Sequence, residues 1–441
     1  MFATRLLAAL AVICFTAAAP VRAATLLRDA DMEQTLSALA APVLRAAGLS
    51  PNGIRILVID DDSLNAFIAD TQHIFVHSGL ILKLGSAKEL QAVLAHEAAH
   101  IAGGHISRRL GNMRAARTAS ALGLVLAAAA GAATGSGDAM AGIMLGTQSS
   151  IMGNFFGHTR AEESAADISS VRYMVRAGID PRGAIQVQEI FRGQEALSAR
   201  RQDAYMQTHP ASRDRLRALQ GLVAAAKVPE TDDPAADYLF ARLSGKLSAF
   251  KRAPSWTFRR ADTSYSRDIA KMREAVAWHR QSDLRKALAA IDAAIALRPN
   301  DAYYHDLKGE ILLESRQAAA AVKVYDQARR LAPSNAQILG GLGRAQMAAG
   351  QYKAALATLE TARGRDWADS RVLRDLSVAY AKTGNAGMAS EATAQRYALE
   401  GRLKDAGIHA KRAVDLLPRG SAPWRRAQDV LAASERAARK R

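Results

Sequence analysis

The strongest constraint on the fold of this 441-residue chain is a 34-residue period in its C-terminal half. Ala287, Ala321, Ala355 and Ala389 stand 34 residues apart, and Ala294, Ala328 and Ala362 follow the first three by seven. Pro299 and Pro333 follow by twelve, Trp367 breaks that column, and Gly309 and Gly343 fill another. Ala406, Ala413 and Pro418 repeat the spacing once more, out of phase. A helical unit of this length holds two helices. Small residues at fixed points let the paired helices approach closely, and proline ends each pair. Units of this kind bury their apolar faces only against their neighbours, so they stack into a curved solenoid with a concave binding face.

These columns resemble the tetratricopeptide repeat. The resemblance predicts an all-α solenoid over residues 266–441, with three clear repeats, degenerate flanks and a basic tail. Residues 221–265 are expected to hold a linker and an atypical helix pair. A repeat fold by itself carries no chemistry.

At the N-terminus, Arg5 precedes an apolar run from Leu6 to Ala19, and Val21 and Ala23 occupy the small-residue positions before a cut. The run is too short for the ~20 residues that span a bilayer. It predicts a signal peptide over residues 1–23. Cys14, the chain's one cysteine, leaves with it. The mature chain then has no thiol, which excludes a disulfide framework and cysteine-ligated zinc and suits an oxidising compartment such as a bacterial periplasm. Loss of Arg5 and Arg22 takes the net charge from +17 to +15. Export and the scarcity of aromatic residues (5%) argue against nucleic acid as the partner. The charge points instead to anionic envelope surfaces or acidic proteins.

Residues 24–220 mix helix and strand signals, which predicts an α+β domain with a small sheet. MEQTLSALAAPVLRAAGL has helical spacing and stops at Gly48. IRILVID, NAFIAD and HIFVHSGLI read as short strands. Residues 119–157 are rich in Ala, Gly and Met, with Asp138 the lone charge. They predict an apolar hairpin, buried or dipping into a membrane, or a lid.

Within the helical run KELQAVLAHEAAHIAGGHISRR stands His96-Glu97-Ala98-Ala99-His100. Positions i and i+4 share one helical face, so both imidazoles can hold one Zn²⁺. Glu97 is placed beside them to act as general base. A third ligand is expected from a later helix, where Glu163 and Asp167 are also spaced i,i+4. Glu163 can ligate the ion, and Asp167, one turn on, can accept a bond from a ligand imidazole. Glu162 competes, but it points about 100° away and has Ala166 one turn later. His73, His77 and His105 are not assigned to the metal.

Together these elements resemble the gluzincin metallopeptidases that include the CAAX prenyl endopeptidase and the heat-shock membrane protease HtpX. The resemblance rests on HEAAH, on Glu163 and Asp167 with the AGIDP turn after them, on Thr208-His209-Pro210 with Arg215, and on Asn65–Phe67 and HSGL. The signal and repeats narrow it to periplasmic, repeat-bearing members of Gram-negative bacteria. It implies one Zn²⁺ per chain on His96, His100 and Glu163, with Glu97 as general base. Three roles are open to His209: oxyanion stabiliser, fourth zinc ligand that keeps the enzyme latent, or structural support beside Pro210. Arg215 is expected to hold a carboxylate near the site, with Asp167 the candidate. The strands around Asn65–Ile68 and Ile74–His77 are expected to pair with an extended substrate.

The expected activity is therefore a zinc endopeptidase acting on misfolded or misassembled envelope proteins. The repeats would recruit substrate or the outer-membrane protein assembly machinery, with peripheral membrane contact possible and no nucleic acid. The competing expectation is a repeat-based chaperone or assembly factor whose protease is largely latent.

Overall fold

The computed structural model describes residues 26–108, 159–192, 202–209, 213–228 and 232–439. The expected signal peptide and the apolar 119–157 segment lie outside the described residues.

The N-terminal half is built on a four-stranded sheet of β1 (Leu26–Leu27), β2 (Arg55–Ile59), β3 (Ala66–Ile68) and β4 (His73–His77), in the order β1-β2-β4-β3. β2 and β4 run parallel with Ile56 opposite Ile74, and β3 returns antiparallel to β4 with Phe67 opposite Phe75. Such β-branched and aromatic pairs stabilise a sheet. β4 is bonded on both sides, so its backbone cannot take the substrate strand expected at Ile74–His77. Among the described residues that role is left to the edge strand β3.

Four helices cover the sheet or pack beside it: α1 (Ala30–Ala46), α2 (Ser78–Lys83), α3 (Ala87–Ala102) and α4 (Arg160–Arg176). Ser86 caps α3, accepting from Glu89 N–H. All residues from Leu90 to Ile101 are buried, which makes α3 an interior helix packed on α1 and α4. Small residues at Ala95, Ala98 and Ala99 admit those neighbours. α5 (Arg182–Ile190) approaches so closely that a Cβ on Gly183 would lie 2.4 Å from the Lys88 carbonyl oxygen. α6 (Ala204–Thr208) and α7 (Arg213–Ala226) complete this half.

α8 (Pro234–Lys251) falls within the segment expected as linker and helix pair, followed by the short α9 (Pro254–Phe258). Phe240, Leu243 and Leu247 of α8 join the core of the N-terminal half, while Ala249 joins the first core of the repeats. Its charged residues are buried too. Arg242 binds Asp31 at the start of α1 and Asp301 in a repeat turn, and Lys246 reaches Asp29 at 2.8 Å.

Five helix pairs follow: α10/α11 (Arg267–Arg280, Leu284–Leu297), α12/α13 (Ala302–Glu314, Ala318–Leu331), α14/α15 (Ala336–Ala348, Tyr352–Arg365), α16/α17 (Ser370–Lys382, Ala386–Leu399) and α18/α19 (Leu403–Leu416, Ala422–Ala438). The columns of small residues lie at helix contacts. A Cβ on Gly309 would meet the Tyr325 ring at 2.7 Å, and one on Gly343 would meet Leu359 at 2.5 Å. A second 34-residue column appears only in the backbone: Ser282, Arg316, Gly350 and Gly384 all have positive φ, from 60° to 81°. Each turns the chain between the helices of a pair. No helix among the described residues is long and apolar enough to cross a membrane.

Candidate metal centre

α3 carries His96 and His100 on one face, as their spacing requires. α4 crosses it and brings Glu163 to the same point, and His209 arrives from the end of α6. Ligand atoms of His96, His100, Glu163 and His209 all lie within 4.8 Å of one another, and all four residues are buried. His96 Nε2 is 3.1 Å from His100 Nε2 and 3.3 Å from His209 Nδ1. Glu163 Oε1 is 3.2 Å from His100 Nε2 and 3.0 Å from His209 Nδ1, and its Oε2 is 3.5 Å from His96 Nε2. Ligands placed about 2.0–2.1 Å from a tetrahedral ion are about 3.3–3.4 Å from each other. The donor set therefore fits a small divalent ion in both chemistry and spacing.

Glu162 is drawn elsewhere. It forms a capping box with Thr159 at the start of α4, facing solvent. Glu97 is wholly buried one residue past His96, and neither carboxylate oxygen has a hydrogen bond among the described residues. His209 Nε2 lies 3.4 Å from its Oε1. Burial pushes the Glu97 carboxyl above the ordinary range, against the pull of His209 and His96.

A second layer of charge surrounds the donors. His96 Nδ1 stands 3.3 Å from Asp167 Oδ1. Arg215 holds Asp167 through two bonds of 2.9 Å and touches Glu163 Oε2 at 2.6 Å. Burial works against the charged carboxylates, but the bonds to His96 and Arg215 keep Asp167 below its usual range. Burial also opposes the His96 cation, yet the bonds to Asp167 and Glu163 push it up to about 10 in the metal-free chain. His100, with burial dominant, is held well below the usual histidine range.

His73 pairs with Asp70 and His77 with Ser63, both away from the cluster. His105, not assigned to the metal from sequence, contacts His100, with the two Nδ1 atoms 2.7 Å apart. The missed signal is the Gly103-Gly104 pair, which ends α3 and breaks its helical phase. His209 stacks on Tyr205 at a centroid distance of 4.6 Å, and Tyr205 stacks on Phe191 at 4.8 Å. Tyr205 N–H donates to Leu64 C=O at 3.0 Å, which ties this segment to the chain two residues ahead of β3.

A buried two-helix His/His/Glu centre with a neighbouring carboxylate defines a metallopeptidase class, and comparison with known families agrees. Residues 27–223 match the family model described as Peptidase family M48, and residues 312–376 match a Tetratricopeptide repeat. The N-terminal half is a domain of peptidase family M48, and the chain is a metallopeptidase with a helical repeat domain. It is similar to the beta-barrel assembly-enhancing protease of Escherichia coli (strain K12), 24% identical over 394 residues, 87% of this chain and 79% of that protein. It also resembles the putative beta-barrel assembly-enhancing protease of Vibrio cholerae, 32% identical over 162 residues, 36% of this chain and 32% of that one. Similarity extends to the mitochondrial metalloendopeptidase OMA1 of Schizosaccharomyces pombe, 28% identical over 195 residues, 43% of this chain and 53% of that one.

Proposed function

We propose that the chain is an exported zinc endopeptidase that cleaves misfolded or misassembled envelope proteins. Residues 1–23 serve as its signal peptide, 24–220 as its peptidase domain and 266–441 as a solenoid that recruits substrate or the outer-membrane protein assembly machinery. The observation that carries this reading is the buried set of His96, His100 and Glu163 with Glu97 beside it. Support for envelope substrates comes from the name of the bacterial relatives, and support for the periplasm from the N-terminal sequence.

Two imidazoles and a carboxylate suit zinc, a borderline-soft ion. When bound, zinc supplies Lewis-acid polarisation of a carbonyl and lowers the pKa of water. The remaining work falls to side chains of this protein. Glu97 takes the proton of the attacking water and delivers it to the leaving amine, a task helped by its raised pKa. Asp167, held by Arg215, accepts from His96 Nδ1 and fixes the ring so that Nε2 faces the ion. The β3 edge offers backbone groups to an extended substrate.

Of the three roles open to His209, its position favours the fourth ligand. Its Nδ1 lies inside the donor set, where a carbonyl or water has to enter. In this state the enzyme is latent, and activation requires the His209 segment to withdraw. On an unfolded protein substrate, Glu97→Gln abolishes cleavage while leaving metal binding intact. His209→Ala raises cleavage; an unchanged or lower rate counts against the latch.

The placement of His209 also favours a second reading, an assembly factor or chaperone with a largely latent protease. The Glu97→Gln chain separates the two: envelope integrity maintained without cleavage supports the binding role.

A further inference from the structure

We infer that His105 is a positioning residue for the metal centre, accepting a hydrogen bond from His100 Nδ1 and so fixing the tautomer that aims His100 Nε2 at the ion. The inference rests on the metal reading above and extends it to a residue outside the ligand set.

The two Nδ1 atoms are 2.7 Å apart, and the ring planes are inclined at 72°. Both residues are buried. At that distance one nitrogen must carry a proton and the other a lone pair. The direction follows from the far side of the His100 ring. Its Nε2 faces His96 Nε2 at 3.1 Å and Glu163 Oε1 at 3.2 Å, the position of a ligand lone pair. A neutral imidazole carries one proton. His100 therefore bears it on Nδ1, and His105 accepts on Nδ1 and keeps its own proton on Nε2.

The local sequence builds this contact. Had α3 continued, five residues at about 100° each would have put position 105 roughly 140° around the helix from His100. Instead α3 ends at Ala102, and Gly104 adopts φ +67°, a conformation that favours glycine. This turn breaks the helical phase and lays His105 against His100. Gly103 leaves room for the ring, since a Cβ there would lie 2.8 Å from His105 Nε2 and 3.0 Å from the Ala99 carbonyl oxygen. The two imidazoles of the motif thus have separate acceptors, the Asp167 carboxylate for His96 and the His105 ring for His100.

The test measures Zn²⁺ affinity of the full mature chain by competition with a chromophoric chelator. His105→Ala should weaken binding by about 10–100-fold, the usual cost of losing such a partner. His105→Asp, which restores an acceptor, should recover affinity to within about threefold of wild type. His105→Leu fills the volume without an acceptor and should stay weak, which covers the case in which alanine opens an unstable cavity. Gly103→Ala, which displaces the ring, should weaken binding in the same direction. Wild-type affinity in His105→Leu, or no recovery in His105→Asp, overturns the inference. Failure of the metal reading itself looks different: the wild-type chain would not bind Zn²⁺, or His100→Ala would bind as wild type does.

Discussion

Replacing Arg242 with methionine probes the charges buried between the two halves of the chain. Arg242 and Asp31 are 4% and 2% exposed, and Arg242 Nε donates to Asp31 Oδ1 at 2.8 Å. The same guanidinium binds Asp301 in the turn before α12 and lies 4.3 Å from the centre of the Tyr304 ring. Methionine keeps the aliphatic packing but strands two carboxylates. Removing one partner of a buried pair costs about 3–5 kcal/mol, most of it from the charge left behind. Lys246 Nζ remains 3.5 Å from Asp31 Oδ2, which places the expected loss near the lower end, about 3 kcal/mol. The assay is urea unfolding in a Glu97→Gln background, which on the role proposed for Glu97 prevents self-cleavage. All four tryptophans (Trp256, Trp278, Trp367 and Trp424) lie in the C-terminal half, so fluorescence follows the repeats while circular dichroism follows the whole chain. Wild type should show coincident transitions, and Arg242→Met should separate them. Asp31→Asn added to Arg242→Met should return part of the lost stability, because it neutralises the stranded charge. A single-variant loss below about 1 kcal/mol, or a double variant with the full summed loss of the two singles, refutes the reasoning.

Two further outcomes follow from the repeats. Burial opposes the Asp369 anion, but Arg28 and Arg371 hold its pKa down at about 2, from an ordinary 3.8. Its folded pKa is depressed, so its stabilisation of about 2 kcal/mol is present above pH ~4 and fades as pH falls toward 2. Asp369→Asn should therefore flatten the fall in urea midpoint between pH 4 and 2; an unchanged slope rejects this. Arg316 holds φ +62° in an exposed turn where the next two repeats have Gly350 and Gly384. Arg316→Gly should relieve about 0.5–1 kcal/mol of strain, read as a higher melting temperature, whereas an equal or lower value would show the turn to be unstrained.

The metal cluster was readable in sequence where it depends on helical spacing. His96 with His100, and Glu163 with Asp167, are each one turn apart on one helix. Glu162 could be set aside on direction alone, and the capping box shows where its carboxylate goes. His105 was hidden because its position depends on a left-handed glycine rather than on helix period. Strand order was hidden for a related reason. Three short apolar runs announce strands but not which one ends up in the middle, since that is set by long-range pairing. Alanine and glycine columns revealed the repeats wherever close helix contact demands small residues. Arg242 and Lys246 gave no warning that they are interior, because their burial depends on carboxylates far away in sequence.

α8 belongs to two cores at once, and that sharing bears on how the protein handles a substrate. Cutting the chain before α8 would not release a smaller peptidase; it would remove a wall from the N-terminal core. The solenoid is also more than cargo on a flexible tether. If the repeats recruit substrate as proposed, a polypeptide held there would meet the metal centre at a separation fixed by α8 and by the ion pairs of Arg28 and Arg55 with Asp366. Its effective concentration there is a property of the architecture, insensitive to the linker-length statistics that govern tethered modules.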